Sequence, residues 1–103
     1  AVDAFVAANP ANADAQLLLA GNLVRRERFE AARAAAGKAT ELAPTDARGW
    51  IVLAGTYPDD PAAREQVLRK GIAAAPAAAE LVDILGSDLV AGGRVDDAIA
   101  LYD

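Results

Sequence analysis

The 103-residue chain has no cysteine, no histidine and no methionine, a single serine, and only five aromatic side chains. Without Cys or His, several site types are excluded: Ser-His-Asp and Cys-His nucleophile systems, zinc sites of the usual Cys/His kinds, haem and iron–sulfur ligation of the usual kinds, and disulfides. No cofactor is expected, and with most catalytic repertoires closed the chain reads as a non-enzyme. Basic residues are scarce too. Ten Lys and Arg against fifteen Asp and Glu leave a net charge of −5 and a pI near 4.6. That is the opposite of the basic footprint that nucleic acid or an anionic membrane surface requires. No apolar run approaches the roughly 18 residues needed to span a bilayer, so direct membrane insertion is not expected. The missing methionine raises the expectation that the chain is an excerpt of a longer protein. Cysteine-free chains suit cytosol and periplasm alike, which leaves the compartment open.

What is abundant is alanine. There are 28 Ala and 28 large apolar residues, so half of the 54% hydrophobic content is methyl groups. Leu, Ile, Val and Phe still make up 25 residues, about 24%, above the roughly 20% below which chains tend to stay disordered. Alanine is the best helix former and lets helices approach closely, so a folded, Ala-rich, all-α domain is predicted.

The chain also repeats. Pro10, Pro44 and Pro76 each close an Ala-rich stretch, at spacings of 34 and 32 residues. On that period residues 1–12 end one unit, 13–46 form a full unit, 47–78 a shortened one and 79–103 a partial one. Leu19-Ala20, Leu53-Ala54 and Leu85-Gly86 fall in register, as do Leu23, Tyr57 and Leu89. Each unit reads as two helices. Asn12 is a good N-cap ahead of a stripe through Gln16, Leu19, Ala20 and Leu23, and a second stripe follows through Phe29, Ala32, Ala36, Ala39 and Leu42. In the next unit Asp46 caps a helix holding Trp50, Leu53, Ala54 and Tyr57, and Asp60-Pro61 starts the second helix. The third unit turns at Gly92-Gly93 and resumes with Val95, Ala98, Ile99 and Tyr102. The middle unit lacks two residues between its helices, which is expected to shorten its first helix.

These residues resemble the tetratricopeptide repeat. Trp50, Leu53, Ala54 and Tyr57 match its first-helix pattern, Leu85, Gly86, Gly93, Ala98 and Tyr102 match the third unit, and the terminal Pro recurs. Departures are Gln16 and Val82 at the place of Trp50, Ala36 and Leu68 where an aromatic is common, and Arg64 in a slot that is usually small. The resemblance spans essentially the whole chain and implies a right-handed α-solenoid of antiparallel helix pairs, a TPR-like superhelix that binds protein partners; the alanine content and the bias of eight Arg to two Lys point to a bacterial source.

Few residues invite a chemical role. Asp59-Asp60 and Asp96-Asp97 lack the convergent oxygens a hard cation needs and stand where second helices begin, where acidic residues cap N–H groups and favour the dipole. Ser87 has no His partner and no glycine elbow. Arg25, Arg26 and Arg28 form the one basic cluster, read as a solvated turn in preference to a partner patch. Trp50 and Tyr57 belong by register to the packing seam.

The functional question therefore moves to a surface. In this family the concave wall is lined by first helices. The residues of those helices outside the packing set are Leu17, Leu18, Gly21, Val24 and Arg25, then Arg48, Ile51, Val52 and Gly55, then Glu80, Asp83, Ile84, Ser87 and Val90. Ten of these make the candidate partner groove: Leu17, Gly21, Val24, Arg25, Arg48, Ile51, Gly55, Asp83, Ser87 and Val90. A mostly aliphatic wall suits an extended or helical apolar peptide. The competing reading is that these aliphatics only pack on neighbouring repeats. The Lys, Asn and Arg that the family uses to clamp acidic tails are absent, their places taken by Leu17, Gly21, Glu80 and Ile84. Two further expectations stand beside the scaffold. The repeats are a structural appendage of a larger enzyme or secretion-assembly protein, or the ends self-associate through stripes such as Phe5 and Val6 or Ile99 and Tyr102.

Overall fold

The computed structural model describes residues 12–102, so the Phe5 and Val6 stripe and the lead-in unit lie outside the described residues. Six helices occupy them: α1 Ala13–Arg25, α2 Phe29–Leu42, α3 Ala47–Gly55, α4 Pro61–Ala74, α5 Ala79–Ala91 and α6 Val95–Tyr102. Helix starts follow the caps. The Asn12 side chain accepts from the Asp14 and Ala15 N–H groups, Asp46 from Arg48, and Asp60 from Ala63, with Pro61 in the first turn of α4.

Each helix packs against its hairpin partner, and the helices of the first two units also pack against the unit that follows. The first helices α1, α3 and α5 lie side by side, whereas the second helices α2, α4 and α6 make no contact with one another among the described residues. Close spacing on one side and splaying on the other bend the stack, with first helices on the inner wall. This is an α-solenoid of helix pairs, extended to 46 Å in its longest dimension.

Small residues set the spacing. Ala20, Ala32, Ala36, Ala39 and Ala54 are essentially inaccessible and Ala98 nearly so. The junction between the first two units is built on Ala20, Ala35 and Ala36 with Leu19, Val52 and Leu53 against them. The next junction is bulkier, with Leu68, Leu81, Leu85 and Leu89 at its centre. Within the middle unit Gly71 of α4 faces Trp50 of α3 so closely that a Cβ would stand 2.8 Å from Trp50 Cγ. Trp50 is half-buried and its indole N–H donates to the Pro44 carbonyl at 2.9 Å, as its place in the seam predicts.

The turns explain the short unit. In the first unit Glu27 (φ 58°) and in the third Gly93 (φ 80°) adopt the left-handed conformation at equivalent places, and the N–H groups of Arg28 and Arg94 return to the carbonyls of Leu23 and Leu89. The middle unit makes no such turn: Pro58-Asp59 stands in its place and neither residue has a positive φ. Pro58 drives Tyr57 out of the helical region, so α3 stops after nine residues where α1 and α5 run to thirteen, while α4 keeps the fourteen of α2.

An arginine closes the truncated end. Arg33 of α2 donates from Nη2 to the Thr56 carbonyl at 2.7 Å and from Nε to the Thr56 hydroxyl at 3.3 Å, and its guanidinium lies 3.9 Å from the centre of the Tyr57 ring. Thr56 is fully buried and donates its own hydroxyl to the Leu53 carbonyl. Arg33→Met keeps the aliphatic stem but orphans the carbonyl and removes the cation–π contact. It is expected to cost about 1–2 kcal/mol in thermal unfolding; an unchanged melting temperature would show the contact to be idle.

Candidate functional site

On the inner wall a cleft of about 420 Å³ opens between α1 and α3, lined by Asp14, Leu17, Leu18, Arg48, Ile51 and Val52. The four aliphatics come from consecutive pairs, Leu17-Leu18 on α1 and Ile51-Val52 on α3. Leu18 is 48% exposed, while Leu17, Ile51 and Val52 are half-buried. One end of the cleft is charged. The guanidinium of Arg48 donates to both Asp46 oxygens and reaches across to Asp14 Oδ1 at 2.9 Å, joining equivalent positions of successive units. Arg48 donation holds the Asp46 carboxyl below the usual carboxylate range. As an exposed network this contributes little to stability, but it orients the cation at the mouth of the cleft.

The sequence-derived groove residues divide among several places. Leu17, Arg48 and Ile51 come together in this cleft. Ser87 and Val90 line a separate recess of about 520 Å³ between α5 and α6, with Val95, Ile99 and Tyr102. Val90, Ile99 and Tyr102 are more than half exposed there, and the Tyr102 hydroxyl donates to Asp83 on α5 at 3.1 Å. A methyl group placed on Gly21 or Gly55 would meet no atom within 4 Å, so both glycines leave open space along the wall. Val24 is half-buried and Arg25 exposed at the end of α1, outside the cleft lining. Arg26 and Arg28 are exposed as well, as a solvated turn requires. Both packing and open surface are found on the wall: Ile51 and Ile84 lie against the larger core and Val52 against the smaller one.

Residue type alone does not single out Asp14, since a first-turn acid reads as a dipole partner; its 34-residue spacing from Arg48, one repeat, is the signal that places the two together. The paired carboxylates behave mostly as helix-start residues. Asp60 caps α4, and Asp97 in the first turn of α6 accepts from Arg94 Nε at 2.8 Å. Asp59, by contrast, caps nothing and lines a third cleft.

That third cleft, of about 710 Å³, lies at the turn edge between the middle and last units. Tyr57, Pro58, Pro61 and Ala62 form one side and Leu89, Ala91 and Gly92 the other. Arg64, at the register position of buried Ala32 and Ala98, reaches out of α4 to Asp88 of α5 with a 2.6 Å bond. Glu65 accepts from Arg94 and from Arg69, and donation from Arg94 first of all depresses its pKa. The sequence signals for this feature are the arginine at position 64 and the two missing residues.

Among the described residues no three acidic, His or Cys side chains cluster to hold a metal, and no helix is long and apolar enough to cross a membrane. No family model matches the chain, and no curated protein matches it. Sixteen chains of solved structures do. One is the crystal structure of MamA, similar at a TM-score of 0.75 and 24% identity over 99% of this chain and 61% of that one. The chain thus spans less than two thirds of the MamA chain it matches, and the likeness is one of fold, a TPR-like solenoid of helix pairs.

Proposed function

We propose that the chain is a non-catalytic protein-interaction scaffold of the tetratricopeptide kind, which holds an apolar peptide or helix of a partner along the wall of first helices. The supporting observation is the α1–α3 cleft, where Leu17, Leu18, Ile51 and Val52 offer apolar surface beside the oriented Arg48. Burial of an apolar stripe supplies affinity, and the charged end supplies register. The open space at Gly21 and Gly55 lets a partner backbone approach the helices closely.

Capture from a cell extract by the intact chain, by Leu18→Glu and by Ile51→Glu tests this reading. Leu18 is exposed, so Leu18→Glu should melt like the parent. A carboxylate in the cleft should reduce each captured partner at least tenfold, about 1.4 kcal/mol or more. Retention of the same partners by both variants at parental levels would defeat the groove reading.

A further inference from the structure

From the turn-edge cleft we infer a second binding site, independent of the first-helix wall, for a peptide segment that presents one bulky apolar side chain next to a lysine or arginine. The cleft exists because the middle unit is short. Placing the two-residue gap after Tyr57 equates the missing residues with Val24-Arg25 in the first unit and Val90-Ala91 in the third. In those units the last turn of the first helix continues to Arg25 and Ala91, whereas α3 ends at Gly55. The last helical turn that carries Val24-Arg25 in the first unit and Val90-Ala91 in the third is missing here, and the turn edge beside Tyr57 stands open to solvent.

Its chemistry points the same way. A volume of about 710 Å³ falls in the usual range for ligand clefts, roughly 300–1,000 Å³. Tyr57, Pro58, Pro61 and Ala62 give it a rigid apolar side: two residues are prolines, and the Tyr57 ring is pinned by Arg33. Such a surface loses little freedom when occupied. Five charged side chains line it. Arg64 is bonded to Asp88 and Arg94 to Glu65, so four of the five are matched within the protein. Asp59 is exposed and has no hydrogen bond or ion pair among the described residues. The one uncommitted charge is therefore a carboxylate, in a chain whose net charge is −5, and it selects a cation beside the apolar side chain.

The test is an amide NMR titration of the intact chain with three end-capped heptapeptides of Gly and Ser. The first carries adjacent Leu and Arg, the second Leu and Glu, the third Gly and Arg. Saturable shifts at Tyr57, Ala62 and Ala91 are expected with the first peptide, with at least fivefold weaker binding for the other two. Asp59→Asn should weaken the first peptide at least fivefold, and Ala62→Trp, at an exposed position that fills the cleft, should abolish the shifts. The proposal is overturned by no saturable shift at those amides, by shifts centred on Leu18 and Ile51, or by Asp59→Asn binding as the parent does. The turn-edge cleft and the α1–α3 cleft share no lining residue, so failure here leaves the scaffold reading to its own test.

Discussion

Leu68→Ala is expected to lower stability by about 3 kcal/mol, the scale of a buried Leu-to-Ala truncation that leaves a partly collapsed cavity. Leu68 is fully inaccessible and sits at the centre of the larger core, between the second and third units. Little else anchors its helix. Of the fourteen residues of α4, only Val67, Leu68 and Gly71 are buried, and Gly71 contributes no side chain. A repeat array is stabilised by each unit's contact with its neighbours, so a loss at one junction weakens the whole stack. For a domain of this size, about 3 kcal/mol corresponds to a fall of roughly 12–24 °C in melting temperature, followed by far-UV circular dichroism. Leu68→Met, which conserves volume, should cost under about 1.5 kcal/mol. Equal melting of the two variants would place the core elsewhere.

Leu68 also shows what is legible in the sequence and what is not. Helix starts are written locally, because Asn12, Asp46 and Asp60 satisfy N–H groups two or three residues away. Helix pairing is nearly as local, since small residues recur at one period and each must meet a neighbour. The 34-residue register therefore places Ala20, Ala54 and Ala98 in contacts that the structure buries. Contacts made by long side chains across a junction are another matter. Arg33 reaches Thr56 and Arg64 reaches Asp88 over separations of 23 and 24 residues, and nothing in the local pattern says which carbonyl or carboxylate a guanidinium will find. The wall is only half legible for a related reason. Ile51, Val52 and Ile84 point partly into the array and partly out of it, and the division depends on how closely the first helices approach. The ten groove candidates consequently do not form one cleft. The third cleft emerges only when two departures, a lost helical turn and an arginine in a small-residue slot, are read together with the following unit.

The same small-residue logic gives a prediction in which glycine substitutions act with opposite signs. Gly21 and Gly71 both lie inside helices, where exchange for a residue with a Cβ removes the entropy penalty of glycine, about 0.5–1 kcal/mol. At Gly21 nothing stands within 4 Å of the added methyl, so Gly21→Ala should gain that amount. At Gly71 a Cβ would meet Trp50 Cγ at 2.8 Å, Trp50 Cβ at 2.9 Å and Leu81 Cδ1 at 3.1 Å. None of these is the free end of a flexible chain: Trp50 is tied through its indole N–H to the Pro44 carbonyl, and Leu81 is fully buried. Relief therefore requires α3 and α4 to separate, which also loosens the contact of α4 with α5. Gly71→Val adds two further methyls and a β-branched residue in a helix, and should cost about 3 kcal/mol despite the entropy gain. Urea unfolding reads both effects as opposite shifts of the midpoint at unchanged slope. Parental stability in Gly71→Val would mean that α3 and α4 are not held at the spacing this glycine permits.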